Sequence, residues 1–250
     1  MDKELTVTYG DITVFYRGAL DGGGTTFGQE YIPVVKRRFG HVDHVFEFCA
    51  GPGFIGFALL AAGLCDRLTL ADINPEAVAL CRKTVAHNGL EDRVSVYESD
   101  VLKAVPPEER WDLVVGNPPH FVAKSEEEYQ GYIRRFDPNL RIHQEFYSQI
   151  NAHLAQNGSV LLQENAEGMK PEVFREMVEA NGFVIKEVYN ASTEERTEAR
   201  SLSLKNPRPR PNYRKLADPF AVFKYVRGWI TRALRTQNPF YFIHVVRRGE

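Results

Sequence analysis

The chain has 250 residues, 43% of them hydrophobic and 26% charged, with a net charge of −2, the balance of one folded domain of the larger kind or of one domain with an insertion. The longest apolar run, 57–64, is far too short to span a bilayer. The first ten residues lack the basic and apolar regions of a signal peptide. Cys49, Cys65 and Cys81 form no CxxC pair, so the expectation is a reducing, cytoplasmic setting with no structural disulfide and no metal.

The near-neutral total hides an asymmetry. Residues 1–195 carry −12 and residues 196–250 carry +10, a pattern that points to a polyanionic partner or to a basic segment folded back on an acidic body.

In chain order, residues 5–9 and 12–16 alternate polar and apolar around Gly10-Asp11 and predict a hairpin. Gly22-Gly23-Gly24 reads as a linker or, functionally, as a lid over a cofactor, with a helix over 27–39. Strands follow at 44–49, 67–72, 94–97, 111–115, 159–163 and 183–189, and a late one at 240–246. Helices fall between them: 54–62, then 75–88 capped by Asn74 and stopped by Gly89, then 137–154 capped by Asp137, then 171–180. Strands alternating with helices predict an α/β fold with a mainly parallel sheet. Residues 191–238 interrupt the last two strands, are polar and then Pro/Arg-rich, and end in an expected basic helix over 219–234. The organisation is therefore an N-terminal hairpin and glycine-rich lid (1–40), a main domain (41–190 with 239–250), and a basic insertion (191–238) expected to loop out and recognise substrate.

The chain is organised around Val45-Phe-Glu-Phe-Cys-Ala-Gly-Pro-Gly-Phe-Ile-Gly56. An apolar strand ends in a glycine turn and a helix begins, the G-x-G-x-x-G pattern that brings a ligand close to the backbone. Asp72, closing the next strand, is placed to accept both hydroxyls of a ribose. Glu47 lies inside a strand that should be apolar on both faces, so it needs a cationic or hydrogen-bonding partner. The ammonium of S-adenosylmethionine is one, and a nicotinamide dinucleotide offers none. Asn117-Pro118-Pro119-His120 follows another buried-looking strand, on the same rim of the sheet as Gly51, Asp72 and Asp100.

EFCAGPG, then Asp72, Asp100 and NPPH in that order resemble a class I S-adenosylmethionine-dependent methyltransferase, and within it the branch whose (N/D)PP(Y/F/W) motif methylates amino or amide nitrogens conjugated to a π-system. The resemblance covers about residues 40–190 and the last strand. It implies a Rossmann-like seven-stranded sheet with helices on both faces and an antiparallel last strand. It also implies site roles. Ala50, Gly51 and Gly53 pass the methionine portion with Glu47 nearby, Asp72 takes the ribose, Ile73 packs on the adenine, and Asp100 with the Val101 backbone meets the adenine edge.

In the motif, the Asn117 side-chain carbonyl and the Pro118 main-chain carbonyl each accept one N–H of the acceptor nitrogen, holding it in line with the methyl. The prolines stiffen the loop, and His120 or Phe121 stacks on the substrate plane. His120 departs from the branch's planar aromatic, which leaves the acceptor open: a nucleobase, a protein glutamine or a small-molecule amine or amide. Arg208, Arg210 and Arg214 are candidates for phosphates and Tyr213 for base stacking.

Two other classes compete: a nucleic-acid-binding protein acting through the basic insertion, and a dinucleotide-dependent oxidoreductase. NPPH argues against both. His41 and His44 read as ordinary histidines rather than ligands; Glu164 and Glu167, after the strand over 159–163, could line the cleft but read first as solvated acids; Phe146 and Tyr147 read as core.

Overall fold

The computed structural model describes residues 3–21, 24–123, 125–131, 134–205 and 239–249. β1 (Glu4–Tyr9) and β2 (Ile12–Arg17) form the expected hairpin. α1 (Gly24–Arg38) begins earlier than expected; Gly22 and Gly23 of the expected lid lie outside the described residues. Then come β3 (Val42–Phe48), α2 (Phe54–Ala61), β4 (Cys65–Asp72), α3 (Pro75–Asn88), β5 (Val94–Glu98) and β6 (Trp111–Gly116). Asn74 caps α3 by accepting from Glu76 N at 2.9 Å, and Gly89 closes it at φ 64°.

The expected helix over 137–154 is corrected. β7 (Phe121–Val122), α4 (Glu126–Gly131) and β8 (Phe136–Asp137) precede a 3-10 turn (Pro138–Leu140), and only Arg141–Ile150 is helical, as α5. Asn139 and Leu140 hold left-handed φ values of 52° and 61°, which no α-helix accommodates. Asp137 still caps, one turn later, accepting from Ile142 N (2.8 Å) and His143 N (3.2 Å). Leu154 already belongs to β9 (Leu154–Asn165), which absorbs Asn157-Gly158 as a shift in its register with β6. α6 (Glu172–Ala180), β10 (Phe183–Tyr189), α7 (Thr193–Lys205) and β11 (Phe240–Arg247) complete the order.

The sheet runs β10-β11-β9-β6-β3-β4-β5, with β11 antiparallel to both its neighbours. Val45, Leu68, Leu113 and Leu161 face one way, under the hairpin, α1, α2 and α3. Phe46, Phe48, Val114 and Leu162 face the other, under α5 and α6, where Phe146 and Tyr147 are core as expected. α2 is buried from Phe54 through Leu60, each large side chain contributing roughly 1.5–3 kcal/mol. Register decides where the site forms. Phe48 pairs with Ala71 on one side and Gly116 on the other, so the turn after β3, Asp72 and Asn117 emerge side by side from one edge.

The segment between β10 and β11 opens on α7, which packs against α1 rather than looping free. Ser192 and Glu195 cap it reciprocally (Ser192 N to Glu195 Oε2, 2.6 Å; Glu195 N to Ser192 Oγ, 3.1 Å). Glu198 reaches Arg37 at 2.8 Å. The expected basic helix over 219–234 lies outside the described residues. No helix among the described residues is long and apolar enough to cross a membrane.

Candidate active site

A cleft of about 430 Å³ opens at the edge where β3, β4 and β6 end, within the size range of sites for small molecules. One wall is the turn after β3. Cys49, Gly51 and Gly53 all hold left-handed φ values, 51°, 52° and 78°, which glycine adopts freely and cysteine only under strain. The turn is tied to Asp72, whose Oδ2 accepts from Gly51 N at 2.7 Å and whose Oδ1 accepts from Asn74 N at 2.8 Å. Burial pushes the Asp72 carboxyl up from its ordinary range, and the amides of Asn74, Gly51 and Ile73 restrain it. An ionised carboxylate has about four lone-pair sites, so these amides leave Asp72 with capacity to accept from a ligand. Beside it, Ile73 is 44% exposed, an apolar side chain standing free at the cleft wall.

Glu47 is 3% exposed and has a hydrogen-bonding partner within the protein. The first turn of α2 supplies it: Oε1 accepts from Ile55 N (3.2 Å) and Oε2 from Gly56 N (2.6 Å). The third glycine of the pattern serves this contact, since a Cβ on Gly56 would lie 2.9 Å from Glu47 Oε2 and 2.5 Å from Leu68 Cδ1. Burial nevertheless pushes the Glu47 carboxyl up to about 8.

At the far end, Asp100 pairs with Lys103 (2.7 Å) and Arg141 (3.1 Å). Burial acts to raise its pKa, but these hydrogen-bonded cations hold the carboxyl below its ordinary value. Val101 follows at φ 58°, an outlier for a β-branched residue. Together with Phe48, Ser99 and Ile142 they line a small hollow continuous with Ile73.

The opposite wall is the NPPH loop. Pro118 and Pro119 are buried. Asn117 Oδ1 is buried and has no hydrogen-bond partner among the described residues. His120 and Phe121 line the same cleft, with Phe240 edge-on to His120 at 5.8 Å and the Arg135 guanidinium 4.5 Å over the Phe121 ring. Gly168 leaves room for the loop, because a Cβ there would overlap the His120 carbonyl oxygen.

Behind the loop is a set of residues that the sequence reading did not unite. Glu164, expected to be solvated, is 0% exposed because β11 covers the end of β9. Its Oε2 lies 3.1 Å from His120 Nδ1 and its Oε1 3.1 Å from His143 Nε2. His143 Nδ1 is 2.6 Å from Asp137 Oδ2. Burial acts against charge on His143, but Glu164 and Asp137 outweigh it and push the ring up to about 9. Glu164 is correspondingly held below its ordinary value despite burial, by His143 and His120. Only the spacing of Asp137 and His143 hinted at this; the four residues come from separate elements.

The structure thus brings together Glu47, Ala50, Gly51, Asp72, Ile73, Asn117, Pro118, Pro119, His120 and Phe121 around one cleft. Gly53 shapes its turn, and Asp100 and Val101 lie at its end. Arg208, Arg210, Tyr213 and Arg214 lie outside the described residues. His41 pairs with Asp66 and buried His44 with Thr69, and no group of three or more potential metal ligands occurs among the described residues.

Residues 6–189 match the family described as Methyltransferase small domain. The release factor glutamine methyltransferase of Leptospira interrogans is 30% identical over 101 residues, 40% of this chain and 35% of that protein. The ribosomal RNA small subunit methyltransferase C of Shewanella loihica is 35% identical over 124 residues, 47% of this chain and 33% of that protein. The chain thus spans about a third of the length of these curated relatives. In fold it is similar to the T. thermophilus 16S rRNA N2 G1207 methyltransferase solved with AdoMet and guanosine (TM-score 0.56, 14% identity, 98% of this chain and 50% of that one). It is also similar to the glycopeptide N-methyltransferase MtfA solved with S-adenosylmethionine (TM-score 0.54, 16% identity, 90% and 94%). With the expected seven-stranded sheet and antiparallel last strand in place and the family match running from the hairpin to the end of β10, the chain belongs to the methyltransferase small domain family of class I, S-adenosylmethionine-dependent methyltransferases.

Proposed function

We propose that this chain methylates an amino or amide nitrogen conjugated to a π-system and held by the NPPH loop. The observation that carries this reading is Asn117 Oδ1, a buried acceptor without a partner among the described residues, at the wall of the cleft that also holds Asp72. A buried acceptor left unpaired costs about 1–3 kcal/mol, a cost that an N–H donor on the substrate removes. When bound, S-adenosylmethionine supplies an electrophilic methyl group. Asp72 fits its ribose, Ile73 its adenine face, Val101 and Asp100 its adenine edge, and the open backbone of 50–53 its methionine portion. Asn117 and the Pro118 carbonyl then hold the two N–H groups of the acceptor, and Phe121 offers a ring face for its plane. Aligned acceptors of this kind stabilise the positive charge that develops on nitrogen.

The acceptor class follows from the relatives only as a choice. Their names specify glutamine of release factors or of ribosomal protein uL3, and small-subunit ribosomal RNA. All are ribosome-linked, which fits a cytoplasmic enzyme. The +10 charge of residues 196–250 favours RNA, with Arg208, Arg210 and Arg214 on phosphates and Tyr213 on a base.

The test incubates the full chain and methyl-labelled S-adenosylmethionine with ribosomal RNA, with ribosomal proteins and release factors, and with free nucleosides and glutamine peptides. Mass spectrometry then locates the label. The expected product is an N-methylated base or glutamine, absent with Asn117→Ala. Label on oxygen or carbon, or none at all, overturns the reading. If RNA is the acceptor, changing Arg208, Arg210 and Arg214 to alanine weakens binding and flattens its salt dependence; with a glutamine acceptor neither changes.

A further inference from the structure

We propose, resting on the reading above, that His120 accepts the proton released by the methylated nitrogen, and that Glu164, His143 and Asp137 are positioning residues that hold its ring in the accepting tautomer. The geometry is a single file: Asp137 Oδ2 to His143 Nδ1 at 2.6 Å, His143 Nε2 to Glu164 Oε1 at 3.1 Å, Glu164 Oε2 to His120 Nδ1 at 3.1 Å. A carboxylate at each ring nitrogen makes His143 a double donor, hence a cation. That leaves Glu164 Oε2 to accept from His120 Nδ1–H, and a neutral His120 so held presents a bare Nε2. Among the described residues Nε2 has no partner, and the side chain is 13% exposed and lines the cleft.

Charge argues the same way. Asp137, His143 and Glu164 together carry −1, with the side chains of all three fully buried. A proton arriving on His120 neutralises the array in surroundings that screen charge poorly. A structural role explains less. Asp137 caps α5 through Ile142 N and His143 N, and that function requires neither Glu164 nor the His120 ring. Apolar residues of similar size would fill the space at least as stably.

In the step, the acceptor nitrogen's lone pair forms the N–C bond to the transferred methyl, and the C–S bonding pair stays on sulfur. The nitrogen's surplus proton passes to His120 Nε2 and leaves to water on product release. A planar aromatic at position 120 offers only a stacking surface. Histidine adds a proton acceptor.

The first test is ring-nitrogen NMR on the full chain with S-adenosylhomocysteine. His120 is expected as the Nδ1–H tautomer, and His143 with both nitrogens protonated at neutral pH. Glu164→Gln should remove the tautomer preference. His120 as Nε2–H, or a preference unchanged in Glu164→Gln, overturns the array. Because burial makes Glu164→Gln a folding risk, the second test uses the cleft residue itself in the labelled-methyl assay. His120→Phe retains a ring and should lose about 10²–10⁴-fold in kcat with KM for S-adenosylmethionine unchanged. Imidazole should restore turnover to His120→Ala and not to Asn117→Ala. Wild-type turnover in His120→Phe, or no rescue, overturns the proton-acceptor role. Methyl transfer to no nitrogen overturns the parent reading and this role with it, a result distinct from transfer that His120 does not affect.

Discussion

At the Asp72 end of the cleft, proposed to hold the cofactor, the carboxylates are paired within the protein; at the Asn117 end, proposed to hold the acceptor, one polar atom has no partner among the described residues. Asp72 holds Gly51 N and Asn74 N, and Glu47 holds the first amides of α2. The protein's own hydrogen bonds hold that end in shape, which spares binding there the cost of ordering the backbone. At the other end Asn117 Oδ1 lacks a partner among the described residues, while His120 beside it is braced from behind by a buried carboxylate. On the proposed reading the contrast separates tasks: one end binds the cofactor, and the other meets a nitrogen whose N–H groups complete it.

The largest effect that would sharpen this contrast is on turnover. Asn117→Ala should fold, keep its affinity for S-adenosylmethionine in calorimetry, and lose about 10²–10³ in kcat, the scale of one missing preorganised hydrogen-bonding group. Near-wild-type turnover would show that the loop is only a turn. Asp72→Ala should do the reverse, weakening cofactor binding by at least ~1.5–3 kcal/mol because hydrogen bonds to a charged group are lost, with part of the effect arising from the released Gly51 and Asn74 amides. Unchanged affinity in a folded variant would remove Asp72 from the ribose.

Gly168→Ala tests the brace from the backbone side. Its Cβ would overlap the His120 carbonyl oxygen, so denaturant unfolding should show a loss of about 1–3 kcal/mol. Turnover should fall while cofactor affinity holds; equal loss at both ends would dissolve the distinction between them.

The smallest effects are in pH. Glu47 titrates near 8 in the fold against an ordinary 4.5. The folded chain keeps a proton that the unfolded chain gives up, and stability should fall as pH rises from 4.5 to 8, by at most about 1.4 kcal/mol per pH unit. His143 titrates near 9 against 6.5; its contribution is complete below 6.5 and is lost as pH rises through 9. Unfolding curves at pH 5 to 9 should therefore show stability declining across the range. Glu47→Gln should flatten the lower part and His143→Gln the upper. A wild-type stability that rises with pH over this range would contradict both assignments.

Much of this molecule was legible in the chain itself. Period-two alternation around Gly10-Asp11, the Asn74-Pro75 and Gly89 ends of α3, and the apolar strands bounded by turns are local signals, because capping and strand burial depend on near neighbours. The glycine turn, Asp72 and NPPH were legible too, since each follows a strand that ends on the same edge. What the chain could not show were contacts between segments far apart in sequence. Glu47 called for a cationic or hydrogen-bonding partner, and nothing in its own strand said that the amides of α2 would reach it. The left-handed pair Asn139-Leu140 broke a helix that composition favoured, once β8 had paired with β7. Glu164 looked solvated until β11, more than seventy residues later, closed over it. The sequence by itself determined the fold class and the turns that line the cleft, because these arise from local backbone preferences and from the order of strands and helices along the chain. Only the tertiary structure decided which buried acid meets which histidine, because that depends on packing between α5, β9, β11 and the NPPH loop.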